Sequence, residues 1–182
     1  MTILDVLKQM LNITGNQEDD YLSSLISSTI DTLKTYHINP LLTVYEYSFD
    51  NSLENRDCVV FKTFRVNFSI LGVKEVAGDG NEKDIDYVFN PTTMVLRFKR
   101  RPAGRVYVRF QRGYASEDDV PFLLKLAVAK LAYLSYYETR YGGLVSSDQS
   151  VDGVRNTYKD FNVERQRVLR EIMAMMGGEY AV

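Results

Sequence analysis

The chain has 182 residues, 45% of them hydrophobic and 25% charged, with a formal net charge of −2. That length buries about 70% of the unfolded surface on folding, enough for a core without staples, and the composition is ordinary for a soluble globular protein. One cysteine, Cys58, excludes an internal disulfide, and no apolar run reaches the roughly 20 residues that a membrane span needs.

The start, MTILDVLKQML, carries Asp5 ahead of Lys8 and no small-residue cleavage site, so it reads as a short helix over residues 2–11 rather than a secretory signal. The turn signal Thr14-Gly15-Asn16 closes it. Residues 18–38 predict an amphipathic helix: Leu22, Leu25, Ile26, Ile30 and Leu33 recur at steps of three and four. Glu18, Asp19 and Asp20 crowd its first turn, where carboxylates suit the positive end of the helix dipole. Asn39-Pro40 is expected to end it, because the residue before proline is pushed out of helical geometry.

From Tyr45 to Arg112 the period changes to two, and strands are expected near 44–49, 58–62, 68–77, 86–89, 93–99 and 105–111. Cys58, beside Val59, Val60 and Phe61, reads as a small core hydrophobe. The last two strands read as a hairpin across Arg101-Pro102-Ala103-Gly104. Helix returns at Asp119, with Pro121 in the first turn and Leu123, Ala127, Leu131 and Leu134 along one face. Phe122, Ala129, Tyr133, Tyr136 and Tyr137 make its other sides apolar too, so several neighbours must cover it. An irregular Gly/Ser/Asp loop over 142–153 follows, then a helix over 158–176 closed by Gly177-Gly178. The fold class is therefore α+β. A single domain is expected, with N-terminal helices over 1–43, an antiparallel β-sheet or hairpin insertion over 44–114 and C-terminal helices over 115–182, making a bundle of three to four helices.

Charge is unevenly spread. Residues 1–55 hold eight acids and two bases, whereas residues 56–112 hold six acids and twelve bases. The stretch VLRFKRRPAGRVYVRFQRGY carries Arg97, Lys99, Arg100, Arg101, Arg105, Arg109 and Arg112 with no acid from Arg97 to Arg112. In a hairpin, period-two geometry collects Arg97, Lys99, Arg105 and Arg109 on one sheet face. Such a patch attracts a phosphate backbone without reading sequence, or pairs with the acids Glu18, Asp19, Asp20 and Asp31 of a neighbouring copy. It is equally what protects an exposed sheet edge. The end of the chain, MAMMGGEYAV, offers Met173, Met175, Met176 and Tyr180 as an adaptable docking surface, or a core stripe with a frayed tail.

Catalytic signatures are absent. The one histidine, His37, sits at a helix end and reads as a C-terminal cation. One His and one Cys do not make a zinc site, and there is no phosphate loop, dinucleotide fingerprint or serine elbow. Asp79, Glu82, Asp84 and Asp86 lack calcium-loop register and read as a solvated hairpin turn. No catalytic residue, metal or cofactor is expected.

The order of parts resembles the head–tail connector (adaptor) proteins of tailed bacteriophages. The resemblance is carried by DDYLSSLISSTIDTLKTYHINP, by RVYVRFQRGYASEDDVP, and by the run from Val120-Pro121 through Leu126-Ala127 to Tyr136-Tyr137-Glu138-Thr139-Arg140. It implies a structural virion protein: a dodecameric ring beneath the portal that extends the DNA channel and joins head to tail. The implied partners are copies of the chain itself, the portal protein, a tail-side completion or stopper protein, and double-stranded DNA passing without sequence-specific contact, with no membrane. The implied location is the virion's head–tail interface, with assembly in the host cytoplasm. Two other readings stay open: a sequence-independent nucleic-acid-binding module of a phage, and a head-completion or stopper protein.

Overall fold

The structure is a computed structural model, and it describes residues 1–61, 66–141 and 161–176. The loop expected over 142–153, the start of the last helix, its Gly177-Gly178 stop and Tyr180 lie outside the described residues. The fold is α+β, with two compact units.

The helical unit comprises residues 1–36 and 117–175. Helix α1, Ile3–Leu11, opens on a capping box in which the Thr2 hydroxyl accepts from the Asp5 N–H at 3.1 Å and Asp5 accepts from the Thr2 N–H at 2.7 Å. Helix α2, Asp19–Thr35, buries Leu22, Ile26, Thr29 and Leu33, the stripe its periodicity predicts. It ends before Asn39-Pro40, because Tyr36 leaves the helix and His37 takes a left-handed conformation with φ 57°.

Helix α4, Phe122–Tyr141, packs against α1 and α2. The carbonyl of Pro121 accepts from Leu124 and Lys125 at 2.9 and 3.0 Å, so proline begins the first turn, where its missing N–H costs nothing. Leu124, Ala127, Val128, Leu131 and Ala132 form the buried stripe, while Leu123 is 67% exposed. One residue is about 100° of helix rotation, so centring the stripe on Leu124 turns Leu123 outward. Helix α5, Phe161–Met176, buries Val168, Leu169 and Ile172 and meets α4 through Arg165, which donates to Glu138 at 2.6 Å.

The β unit is built on residues 37–116. Its elements are β1 Thr43–Asp50, the single turn α3 Asn51–Glu54, β2 Cys58–Val60, β3 Asn67–Val76, β4 Glu82–Asp84, β5 Tyr87–Asn90, β6 Val95–Phe98 and β7 Arg105–Gly113. They form two antiparallel sheets, β1-β7-β3-β4 and β2-β6-β5. Inward side chains of both sheets share one core, including Tyr45, Phe49, Val59, Phe61, Leu96, Phe98, Val106, Val108 and Phe110. Phe68 is a hinge of aromatic packing, with ring centroids 4.9 Å from Phe61 and 5.3 Å from Phe110. Such pairs contribute about 0.5–1.5 kcal/mol each beyond their buried area.

The expected hairpin of the last two strands does not form: β6 lies in the small sheet and β7 in the large one. Alternation correctly assigned inward and outward residues on each strand, but it carries no information about which strand is the partner. The connection from Lys99 to Gly104 crosses between sheets, and two buried polar side chains hold it. Glu75 of β3, 6% exposed, accepts from the N–H groups of Ala103 at 2.6 Å and Gly104 at 3.0 Å and from Arg100 at 2.8 Å. Asn51 of α3 donates from Nδ2 to the Pro102 carbonyl at 2.7 Å, and its own N–H donates to the Gly104 carbonyl at 3.1 Å. At Gly104 an added Cβ would stand 2.3 Å from the Val76 carbonyl oxygen, so no other residue fits without moving backbone.

Burial opposes the ionisation of Glu75, but the two backbone N–H groups and the Arg100 guanidinium outweigh it and hold the carboxyl below its ordinary 4.5. The stability it contributes is present above that pH and is lost as pH falls through the folded value. Glu75→Ala is expected to cost about 1–3 kcal/mol in urea unfolding, since it takes the acceptor from the part-buried N–H groups of Ala103 and Gly104. Glu75→Gln should cost less and should flatten the loss of stability on the acid side. Gly104→Ala should destabilise as well, read as a lower urea midpoint with an unchanged slope.

Candidate interaction surfaces

The seven cations expected as one patch are dispersed, and most are engaged within the chain. Arg101 grips Asp57 with both arms, at 2.7 and 2.8 Å, and donates to Asn55 at 2.9 Å. Arg100 is held by Glu75 as described, and Lys99 stands 3.9 Å from Asp86 in a loose exposed pair. Arg112 is 2% exposed, on the inward side of β7, with its guanidinium 5.8 Å from the Tyr45 ring centroid. Arg105 and Arg109 project from the outer face of the large sheet, and Arg97 from the outer face of the small one. Those faces look away from each other across the shared core, so Arg97 cannot join the other two.

The outer face of the large sheet is not cationic either. Strand pairing sets Asp50 opposite Arg105 and Glu46 opposite Arg109, while Glu82 and Asp84 flank Lys74, which donates to Glu82 at 2.9 Å. Three cations thus face four acids there. The acids come from β1 and β4, distant in sequence from the basic stretch, which is why a local reading missed them. Ionisation of Asp57 is likewise favoured first by its hydrogen bonds from Arg101, then by that charge.

The acidic candidates are also partly engaged. Glu18 accepts from the Tyr136 hydroxyl at 3.2 Å and lies 3.5 Å from Arg140, whose guanidinium also stands 5.2 Å from the Tyr136 ring centroid. Asp19 pairs with Lys8 at 2.7 Å and Asp31 with Lys34 at 2.7 Å, while Asp20 is exposed. These contacts tie the start of α2 to α1 and to the end of α4, so the cluster is structural at Glu18 and Asp19. In the Met-rich end, Met173 and Met175 are half-buried and Met176 is fully buried, which leaves little of Met176 to offer a partner. Tyr180 lies outside the described residues.

Cys58 is not in the core. It sits half-buried on the outer face of the small sheet, opposite Arg97, while Val59 and Phe61 take the inward positions. Asp79 accepts from the N–H and Nδ2 of Asn81, at 3.0 and 2.6 Å, in the turn between β3 and β4, as the hairpin-turn reading expects. Among the described residues, no group of three His, Cys, Asp or Glu could hold a metal ion. Among them too, no helix is long and apolar enough to cross a membrane.

Divided by unit, the net charges have opposite sign. Residues 1–36 and 117–175 hold 14 acids and 10 bases, net −4, whereas residues 37–116 and 176–182 hold 10 acids and 12 bases, net +2.

Residues 1–60, which run from α1 through β2, match the family model of the phage gp6-like head-tail connector protein. The match supports a head–tail connector family. No curated protein matches the chain.

His37 is expected to be a charged helix cap, but its surroundings favour the neutral ring. Burial first, and then the Arg112 guanidinium, hold it below its ordinary 6.5, and its ring lies 5.1 Å from that of Tyr45. A depressed folded value means stability present above pH 6.5 and lost as pH falls through the folded value. The urea midpoint should therefore drop between about pH 7.5 and about pH 5.5. His37→Asn keeps a residue that tolerates the left-handed conformation and should shrink that drop; an equal drop would contradict the assignment. The dispersed cations give a second expectation. Duplex DNA should bind the free chain no tighter than about 10 µM at physiological salt, within the range of non-specific contact, as read by fluorescence anisotropy.

Proposed function

We propose that this chain is a head–tail connector that forms a ring with its own copies beneath the portal of a tailed phage. The ring extends the DNA channel and gives the tail-side completion or stopper protein a platform. The observation that carries this reading is the family match over residues 1–60, which takes in α1, α2, β1 and the start of the small sheet. The opposite net charges of the two units support it. A cyclic ring uses a heterologous interface, whose two surfaces differ and gain from opposite sign.

The free nucleic-acid-binding module loses its main support. A phosphate-tracking surface needs several unengaged cations on one face; here Arg100 and Arg101 are gripped by Glu75 and Asp57, and Arg112 is buried. DNA then passes through the ring without being gripped, which suits a conduit.

The test is assembly. The full chain is mixed with the portal protein of the same phage, and the mixture is examined by size exclusion and negative-stain electron microscopy. A co-eluting complex with a ring of added density on the portal is the expected result. A chain that elutes apart from the portal at every ratio would overturn the reading.

A further inference from the structure

The small sheet is apolar on both faces. Its strands read CVV, YVFN and VLRF, near-continuous apolar runs of the kind seen where a sheet is covered on two sides. The structure covers one side, with Val59, Leu96 and Phe98 in the shared core. On the other side, strand pairing aligns Cys58, Arg97 and Val88 in one row and Val60, Val95 and Asn90 in the next. Val88 is 58% and Val60 37% exposed, and Arg97 is the one charge in the three strands. Asp57, which precedes β2, lies in electrostatic reach of Arg97 but is gripped by Arg101.

The helical unit carries a segment of matching character. At the entry of α4, Pro121, Phe122 and Leu123 are consecutive and exposed, Phe122 by 51% and Leu123 by 67%. Exposed Asp118 and Asp119 precede them, separated from Pro121 by the buried Val120. Glu117, just before, is turned inward to accept from the Ile3 N–H, which anchors the segment on α1. The result is a rigid apolar step with two carboxylates at its edge.

We infer that the outer face of the small sheet receives the α4 entry of a second copy. Phe122 and Leu123 cover Val60, Val88 and Val95, and the carboxylates of Asp118 and Asp119 approach Arg97. The apolar areas complement each other, and the one cation of the face meets acids rather than another cation. Because the two surfaces are different, each copy has one of each free after pairing, and the contact propagates from copy to copy. The inference names the surfaces that meet in the proposed ring, and it rests on that reading.

Cys58, the sole cysteine, lies on the receiving face and supplies the test. In Leu123→Cys, a short thiol-to-thiol crosslinker should join Cys58 of one copy to the new thiol of the next, giving a ladder of multimers on a denaturing gel. Adding Cys58→Ser should abolish the ladder, and Leu53→Cys, at a position 83% exposed elsewhere, should give none. No ladder, a ladder that survives Cys58→Ser, or an equal ladder from Leu53→Cys would each overturn the inference. Portal binding by the unaltered chain, scored separately, shows whether the connector reading falls with it or stands alone.

Discussion

The β unit depends on one buried carboxylate. Glu75 faces inward from β3, and its oxygens take the N–H groups of Ala103 and Gly104 and the guanidinium of Arg100. Those donors belong to the segment that carries the chain from the small sheet to the large one. Without an acceptor there, two part-buried backbone N–H groups would lose their partner, at about 1–3 kcal/mol in all. With it, β6 and β7 can lie in separate sheets around one aromatic core. Asn51 performs the same service from the other side, through Pro102 and Gly104. Gly104 lets the strand pass close to Val76, where any side chain would collide.

This arrangement explains why a run of cations in the sequence does not become a polyanion-binding patch. Arg100 and Arg101 act as clamps on the crossing, and Arg112 lies inside. Arg105 and Arg109 look outward but meet acids from β1 across the ladder. Arg97 projects from strands that are otherwise uncharged, and the acid within its electrostatic reach, Asp57, is gripped by Arg101. The charge that remains is thus suited to orienting a protein contact more than to holding a phosphate backbone. That agrees with the proposed connector role.

Local rules read the elements well. The period of α2 and the outward placing of Arg97, Arg105 and Arg109 on their strands follow from spacing. Non-local facts were out of reach. The pairing of β7 with β1 and β3 rather than β6 depends on Glu75 and Asn51, which stand 29 and 51 residues from their partners at Gly104 and Pro102. The strand Glu82–Asp84 is fully charged, so it has no apolar alternation to announce it. Of the face expected for α4, Ala127, Leu131 and Leu134 are buried and Leu123 is not, because the helix is apolar on most sides, which leaves Leu123 and Leu124 equivalent by pattern. Only contact with α1 and α2 separates them. The grip of Arg140 and Tyr136 on Glu18 joins the two ends of the chain's helical parts, a relation that no local window contains.

The central claim is that the crossing from β6 to β7 is pinned, and amide hydrogen exchange tests it most directly. If Glu75 holds the segment as described, the Ala103 and Gly104 amides should exchange only on global unfolding, as slowly as the core amides of β7. Exchange at the rate of an exposed loop would contradict the account.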